Sequence, residues 1–436
     1  MGLITHCIDK IIQKRKKMAA NYKTVEWAKG ATIYEVNIRQ YTVEGTFSAF
    51  KKHLPRLKEM GVDIIWLMPI TPISELVKKG SLGSYYACSS YTKINPEFGN
   101  EADFLSLVNE VHALGMKLII DWVANHTGRQ HEWMNVHPEW FTRDDAGHFT
   151  ERNGWDDVVD LNYTNEAMRA ALIGAMQYWI SQFKIDGFRC DMAHLVTLDF
   201  WKQARTACET IKPLFWLAEC EEVSYHEVFD VSYAWEWMHT SEKIAHHQAS
   251  LHDLYNVLHK YAQYPTDTNK LFFTSNHDEN SWNGTEYEKY GVAAKPWAVF
   301  TFTWKGMPLI YSGQELPNQK RLLFFDKDPI NWNGEPALHN FYKTLNQLRK
   351  EHSVIETGET FNLPTNALGA MAFLRYDTKD TILVGLNLSS HVQKINLSHE
   401  KIKGSFRNIF SGMVFNFQEH MTFELMPGDY FVYVKE

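Results

Sequence analysis

The sequence predicts an α/β fold, a (β/α)8 TIM barrel with a short insertion after its third strand and an all-β domain at its C-terminus. Three observations predict it. Eight short apolar runs alternate with amphipathic helical stretches, polar residues collect where these runs end, and the pattern changes to alternating strands near the C-terminus. The count of eight, without a glycine-rich phosphate loop, favours a barrel over a doubly wound sheet.

The predicted barrel strands are short runs rich in β-branched and aromatic residues. They lie at residues 31–42, 62–70, 117–126, 187–194, 215–220, 229–235, 271–280 and 308–315. Between them, residues 101–115 and 164–183 carry apolar side chains at helical spacing, and Gly115 supplies a helix stop. The repeated order places all strand C-termini at one face, where barrel enzymes have their active sites.

The pattern divides the chain into an extension, a barrel, an insertion and a second domain. We expect an N-terminal extension at 1–27, a catalytic barrel at 28–126 and 162–355, a small insertion subdomain at 127–161 and a C-terminal β-sandwich domain at 356–436. A long insertion after a barrel strand is usually functional, such as a wall of the cleft, and a packing excursion is the alternative.

The composition excludes several classes of protein. A formal net charge of -8 argues against a nucleic-acid partner, which a strongly basic domain would indicate. No run of 18 apolar residues predicts a membrane span, and no export signal precedes the barrel. Five cysteines without CxxC spacing fit reduced thiols. We therefore expect a cytoplasmic protein without a membrane partner, translated from Met1 or Met18.

Two opposite charges stand in the fourth apolar run, "IDGFRCDMAH" at 185–194. Arg189 and Asp191 are two residues apart, so they share one face of a strand and their side chains meet. The Coulomb energy of a buried ion pair often barely repays its desolvation. The pair is therefore either a structural salt bridge or part of a functional site.

Polar and charged side chains also end three other predicted strands. They are Asp121, Asn125 and His126 on the third, Glu219 on the fifth, and His277 and Asp278 on the seventh. Since these strand ends meet at one barrel mouth, we expect all of them to converge with Arg189 and Asp191. Desolvating carboxylates at several strand ends has no benefit for stability, which indicates a functional site.

These segments resemble the four signature regions of the α-amylase family, glycoside hydrolase family 13. The matching segments are "DWVANH" (121–126), "GFRCDMAH" (187–194), "AEC" (218–220) and "FTSNHD" (273–278), with "VVDLN" (158–162) in the place of a fifth region. The resemblance spans roughly residues 28–436, including the C-terminal β-domain.

The resemblance implies a role for each residue of the cluster. Asp191 would be the nucleophile, Glu219 the general acid and base, and Asp278 the third carboxylate, which holds the distorted sugar. The remaining assignments are substrate binding by Tyr86, His126, Arg189 and His277, and support of the site by Asp121 and Asn125.

Simple electrostatics fits these roles. We expect Arg189 to hold the Asp191 carboxylate ionised through its opposite charge. Glu219 follows the apolar run "LFWLA" with no cation beside it in the sequence, so we expect burial to raise its pKa as a general acid requires.

The sequence departs from the family pattern in two places. Ser90 precedes Tyr91 where the family often has Asp. After the nucleophile, a typical amylase has Lys then His, and this chain has His194 and Leu195 at the matching positions. The second departure leaves the preference for the acceptor sugar open.

The resemblance also raises the question of calcium. In many amylases the residue at the position of Asn125 binds calcium. The other ligands are carboxylates of the insertion and the carbonyl of the His for which this chain has Leu195. The acidic candidates here are "RDD" at 143–145 and "WDD" at 155–157. We expect no required cofactor, and the metal site stays unassigned, with calcium as its one candidate.

The resemblance implies a retaining α-glycoside hydrolase that cleaves α-1,4-glucosidic bonds in α-glucans or maltooligosaccharides through a covalent glycosyl-enzyme. "VVDLN" lacks the glutamine-proline form associated with α-1,6 specificity. An α-glucan transglycosylase or a trehalose-forming isomerase would carry the same signature. A non-catalytic binding relative would be expected to lose carboxylates that this chain keeps. Endo or exo action, substrate length and oligomeric state stay open.

Overall fold

The computed structural model describes residues 22–265 and 268–436. Most of the predicted N-terminal extension, with Met18, lies outside these residues. Within the described ranges, no helix combines the length and the apolar character that a membrane crossing needs.

Eight parallel strands close into a barrel, which confirms the predicted fold class. Going round the barrel, the strands follow one another in chain order. We number them barrel strands 1 to 8, and they are Ile33–Val36, Ile64–Leu67, Lys117–Trp122, Gly187–Cys190, Phe215–Ala218, Val231–Tyr233, Asn269–Phe272 and Met307–Tyr311. Each ends before the predicted run does, because the last residues of each run leave the sheet at the barrel mouth.

Helices connect the strands on the outside of the barrel. Their bounds are Ile38–Tyr41, Phe47–Lys51, Leu54–Met60, Glu101–Ala113, Glu166–Phe183, Leu198–Glu209, Trp235–Ala245, Leu251–Tyr261, Glu286–Tyr290, Ala294–Thr303, His339–Glu351 and Val354–Thr357. Gly115 follows the fourth of these with a φ of 70°, as its predicted stop. Between barrel strands 5 and 6 a single 3-10 turn, Val223–Glu227, replaces the helix of a regular barrel.

Barrel strands 4 and 5 approach closely at Gly187. A Cβ at this position would lie 2.0 Å from the carbonyl oxygen of Phe215, so only glycine fits. The register then pairs Arg189 with Leu217 and Cys190 with Ala218. As a result, the next residue of each strand, Asp191 or Glu219, emerges beside the other at the barrel mouth.

The insertion is built around a short antiparallel pair, His126–Gly128 with Val158–Asp160. A helical turn, Trp133–Val136, and a 3-10 turn, Pro138–Trp140, lie between the two strands. The buried Trp140 packs into the same hydrophobic cluster as the barrel core. The insertion therefore rests on the barrel and lacks a core of its own.

The C-terminal part is all-β, as predicted, with a six-stranded antiparallel sheet and a two-stranded sheet around a second core. The strands are Glu359–Leu363, Ala370–Tyr376, Thr381–Asn387, Gln393–Ser398, Gly404–Asn408, Val414–Phe417, His420–Leu425 and Tyr430–Lys435. The sequence pattern predicts strands at 367–377, 381–389, 393–398, 405–412 and 429–435, and does not predict the first, sixth and seventh of those observed. Only the last residue of each of these three is buried, so their apolar pattern is weak.

Candidate active site

The ends of barrel strands 4, 5 and 7 carry three carboxylates into one pocket of about 460 Å³. The pocket is lined by Lys79, Ser84, Tyr86, His126, Trp155, Asp157, Val158, Asp191, Met192, Glu219, Asp278, Trp282, Phe324 and Phe325. The other predicted site residues, Asp121, Asn125, Arg189 and His277, are buried behind this lining. The structure thus brings the predicted cluster together, apart from Asn125, which belongs to a neighbouring network.

Arg189 is the centre of the carboxylate cluster. Its Nη1 donates to Asp191 Oδ1 at 2.9 Å and to both oxygens of Asp121 at 3.0 and 3.1 Å. Its Nε donates to the hydroxyl of Tyr233 at 3.1 Å. Its Nη2 lies 2.8 Å from Glu219 Oε2, as an ion pair without an aligned hydrogen bond. One fully buried guanidinium therefore serves carboxylates from three neighbouring strands.

The surroundings of Glu219 are more polar than the sequence suggests, because the side chain of Arg189 reaches Glu219 from the adjacent strand. Burial nevertheless raises the pKa of Glu219, and the nearby Asp191 carboxylate raises it further. The Arg189 charge and the backbone N–H of Met192, 2.8 Å from Oε2, act in the opposite direction. The direction expected for a general acid is present, although the cation beside Glu219 was missed.

Burial also raises the pKa of Asp191. Arg189 lowers that pKa through its charge and its hydrogen bond, which limits the effect of burial without reversing it. The expected effect of Arg189, which favours the ionised form of Asp191, is therefore present, but burial outweighs it. For Asp278, burial raises the pKa and the nearby His277 charge lowers it.

His277 joins two carboxylates. Its Nε2 lies 3.3 Å from Asp278 Oδ2 and 2.7 Å from the Tyr86 hydroxyl, and its Nδ1 is bonded to Glu35 Oε1. Burial works to lower the pKa of His277, but Asp278 and Glu35 together raise it to about 9. The ring is therefore an imidazolium at neutral pH.

Glu35, on barrel strand 1, was not predicted as a site residue. It is fully buried, and burial raises its own pKa. The available signal was a single charged residue inside the apolar run "IYEV" at 33–36. A charge buried in a barrel strand needs a partner, and that partner is His277.

Aromatic side chains form one wall of the pocket. The Tyr86 ring stacks on Phe324 with 6.3 Å between ring centroids, and Trp282 packs on the same phenylalanine at 5.3 Å. Such rings offer apolar faces to a flat ligand. Trp282 and Phe324 follow barrel strands 7 and 8, outside the signature segments, which is why motif reasoning missed them.

His126 lines the pocket beside the insertion. Its ring and that of Trp155 are in a T-shaped arrangement with 5.3 Å between ring centroids. Its Nδ1 lies 3.1 Å from the Asn125 amide nitrogen. Burial lowers the pKa of His126 to about 4, so the ring is neutral near pH 7. A neutral imidazole there is suited to hydrogen bonding with hydroxyl groups.

Asn125 belongs to a network at the base of the insertion. Its Nδ2 donates to Asp160 Oδ1 at 3.3 Å, and Arg152 donates to Asp160 Oδ2 at 2.7 Å and to Asn125 Oδ1 at 3.3 Å. Asp160 is fully buried, so the guanidinium supplies the positive charge that this carboxylate needs. The oxygens that calcium would use are already taken by N–H donors, and this cluster does not fit the ion.

Three of the four acidic residues considered as calcium ligands are engaged elsewhere. Asp144 accepts from the N–H groups of Ala146 and His148 in its own turn. Asp156 and Asp157 pair with a lysine across the pocket mouth. Across residues 22–265 and 268–436, no group of three or more His, Cys, Asp or Glu side chains could hold a metal ion.

Comparisons with known proteins agree with this geometry. A family model for the alpha-amylase catalytic domain matches residues 23–155 and 136–332. The noncanonic maltogenic alpha-amylase AmyB of Thermotoga neapolitana is similar with a TM-score of 0.87 and 30% identity over 93% of this chain and 99% of that one. An alpha-amylase of Lactobacillus plantarum follows at 0.86 and 28%, over 94% of this chain and 100% of that one.

Curated relatives are more distant and longer. Alpha-amylase MalA of Haloarcula japonica is 24% identical over 401 residues, which cover 86% of this chain and 58% of that protein. A cyclomaltodextrinase of a Bacillus species is 25% identical over 376 residues, 77% of this chain and 64% of that protein. The chain thus spans about three fifths of the length of these two. From the family match over the barrel and the shared fold, the chain belongs to the alpha-amylase family, glycoside hydrolase family 13.

Proposed function

We propose that this protein is a retaining glycosidase that cleaves α-1,4-glucosidic bonds in α-glucans or maltooligosaccharides. The observation that carries the proposal is the emergence of Asp191 and Glu219 from paired strands, around one shared guanidinium. Adjacent strands lie about 4.8 Å apart, which suits the carboxyl spacing of about 5 to 5.5 Å that retaining glycosidases use. Relatives named alpha-amylase and cyclomaltodextrinase support the substrate class.

In the first step, Glu219 gives its proton to the glycosidic oxygen while Asp191 attacks the anomeric carbon. The bond from that carbon to the leaving oxygen breaks, and an ester bond to Asp191 forms. Arg189 holds Asp191 through Oδ1, which leaves Oδ2 as the attacking oxygen. The raised pKa of Glu219 keeps the proton available at the start of the cycle.

In the second step, the deprotonated Glu219 takes a proton from water, and the water oxygen attacks the same carbon. The ester bond breaks and Asp191 returns as a carboxylate. Two inversions at one carbon give net retention of configuration. If a sugar hydroxyl replaces the water, the same intermediate yields transfer, so product analysis separates hydrolysis from transglycosylation.

The surrounding groups bind the sugar held on Asp191. Asp278 accepts hydrogen bonds from hydroxyls, and the imidazolium of His277, buried behind it, fixes Asp278 by its charge. Neutral His126 contributes on the insertion side. Tyr86 and the aromatic wall pack against the ring faces.

A cytoplasmic location belongs to the same proposal. An intracellular maltogenic amylase of Bacillus subtilis is 24% identical over 89% of this chain. The four cysteines in the described ranges, Cys88, Cys190, Cys208 and Cys220, are all buried and unpaired, as reduced thiols are in a reducing compartment.

Replacing Asp191 and Glu219 one at a time by their amides tests the roles assigned to these two carboxylates. Asp191→Asn should stop turnover of both maltooligosaccharides and aryl α-maltosides, because no nucleophile remains. Glu219→Gln should slow maltooligosaccharide cleavage by about a hundred- to ten-thousandfold, and should slow bond breaking much less with an aryl leaving group that needs no proton. Steady-state and burst kinetics measure both.

Thermal unfolding followed by circular dichroism is the control for these two variants. Both should stay folded, because Arg189 keeps two of its three carboxylate partners in either case. A folded Asp191→Asn enzyme with near-normal turnover contradicts the nucleophile assignment. Equal losses on natural and aryl substrates in Glu219→Gln contradict the acid assignment.

Replacing Glu35 by Gln should lower the pKa of His277 from about 9, because one of the two carboxylates that raise it is lost while burial remains. The raised pKa means that the ion pairs of His277 contribute fully to stability below about pH 6.5. This contribution is lost as the pH rises through 9. In Glu35→Gln that loss should occur at lower pH.

NMR titration of ring-labelled histidines and kcat/KM against pH measure the effect of Glu35→Gln. Glu286→Gln is the matched control, since Glu286 is a buried glutamate bonded to Thr274 instead. An unchanged His277 titration in the Glu35 variant means that Glu35 does not set the charge of this ring.

We also propose that Arg152 makes calcium unnecessary at the Asn125–Asp160 network. Treatment with EDTA should leave activity and Tm unchanged. Arg152→Ala should lower the stability by about 1 to 2 kcal/mol, below the usual cost of breaking a buried pair, because the arginine side chain is 61% exposed. Arg143→Ala, in the same insertion, is the control, since Arg143 donates to a backbone carbonyl and lies over the Phe149 ring but pairs with no carboxylate among the described residues. A loss with EDTA that calcium restores would contradict the proposal.

A further inference from the structure

The connection that follows barrel strand 2, residues 72–90, links two sides of the pocket mouth. Towards the insertion, Lys79 Nζ lies 3.0 Å from Asp156 Oδ1 and 3.1 Å from Asp157 Oδ1. Lys79 and Asp157 both line the pocket, and the Asp157 side chain is only 6% exposed. The three charges therefore form a latch, Lys79–Asp156–Asp157, across this part of the rim.

Main-chain bonds extend the link in both directions. On the insertion side, the amide oxygen of Gln130 accepts from two successive backbone N–H groups of the connection, at 3.0 and 2.9 Å. On the other side, the Ser81 N–H donates to Asp326 Oδ1 at 2.8 Å, and the Leu82 N–H donates to the carbonyl of Phe325 at 3.0 Å. Asp326 and Phe325 belong to the connection after barrel strand 8.

That connection is in turn fixed to the one after barrel strand 7. The Leu322 N–H donates to Asn280 Oδ1 at 2.9 Å, and Trp282 packs on Phe325 at 5.6 Å. The linked rim therefore runs over strands 3, 2, 1, 8 and 7 of the closed barrel. The remaining arc, over strands 4, 5 and 6, contains Glu219.

The position of Glu219, the general acid, determines which end of the substrate lies over the linked rim and which lies over the remaining arc. Glu219 protonates the leaving oxygen, so the leaving part of the chain extends over the arc of strands 4 to 6. The sugar that becomes bonded to Asp191 carries the non-reducing end of the chain. That end points towards the linked rim, where Lys79, Asp157, Trp155 and Phe325 line the pocket.

We propose that the linked rim closes the pocket at the non-reducing end, so that the enzyme removes glucose or maltose from chain ends and does not cut within long chains. This inference rests on the proposed function, and it assigns Lys79 as a specificity-determining residue of that site. The latch and the backbone hydrogen bonds keep the rim in place, so that it does not move aside for a longer chain.

A pair of heptasaccharide substrates tests the closed end. p-Nitrophenyl α-maltoheptaoside and its derivative with an ethylidene group on the non-reducing end differ only at the group that must enter the closed end. The wild-type enzyme should release short saccharides from the free-ended substrate and cleave the blocked one at least tenfold more slowly. Equal cleavage of both, with internal products, would overturn the inference and leave the proposed hydrolase standing. Failure to cleave either substrate, or any maltooligosaccharide, would instead contradict the proposed function.

Lys79→Ala tests the latch. The variant should raise the ratio of blocked to free-ended cleavage severalfold and should yield longer products, because the rim has lost its ionic link to the insertion. Lys78→Ala is the matched control, since within the described residues the only ion pair of Lys78 is with Glu75 of the same connection, and Lys78 does not line the pocket. A Lys79→Ala enzyme that is folded, active and unchanged in this ratio would remove Lys79 from the account.

Discussion

The buried guanidinium of Arg189 is the interaction on which the rest of the site depends. Carboxylates from barrel strands 3 and 4 and from the end of strand 5 all lie within ion-pair distance of it. Each of them would be costly to bury alone, and together they share one cation that does not lose its proton. This arrangement requires three neighbouring strands in fixed register. The glycine that lets strands 4 and 5 approach closely is therefore part of the chemistry as well as of the fold.

The same sharing gives the carboxylates different tasks. Burial raises the pKa of Asp191 and of Glu219, while the single cation opposes it for both. Arg189 donates an aligned hydrogen bond to Asp191 and makes only an ion pair with Glu219, which also accepts from a backbone N–H. The aligned bond favours the ionised form of the nucleophile. The close Asp191 carboxylate favours the protonated form of Glu219, so the charge state of each residue supports the other.

The strands and site residues that belong to short, continuous sequence patterns could be predicted from the sequence. All eight barrel strands follow from apolar runs, and the carboxylates of the site follow from the charged residues that end three of these runs or lie within them. Glu35, Arg152 and Lys79 were not predictable in the same way, because each acts on a group far away in the chain. Arg152 resembles any exposed arginine until the fold brings the buried Asp160 against it. The cation beside Glu219 was missed for the same reason, since the two residues meet only across paired strands.

The central claim is that Asp191 forms a covalent bond to the sugar and that Glu219 works on the leaving side. The most direct test is the configuration of the first product. Proton NMR of a maltooligosaccharide digest, recorded before mutarotation, distinguishes the two anomers at the newly formed reducing end. The account predicts that the α-anomer appears first, because two displacements retain the configuration. Initial release of the β-anomer would contradict it, even if both carboxylates proved essential.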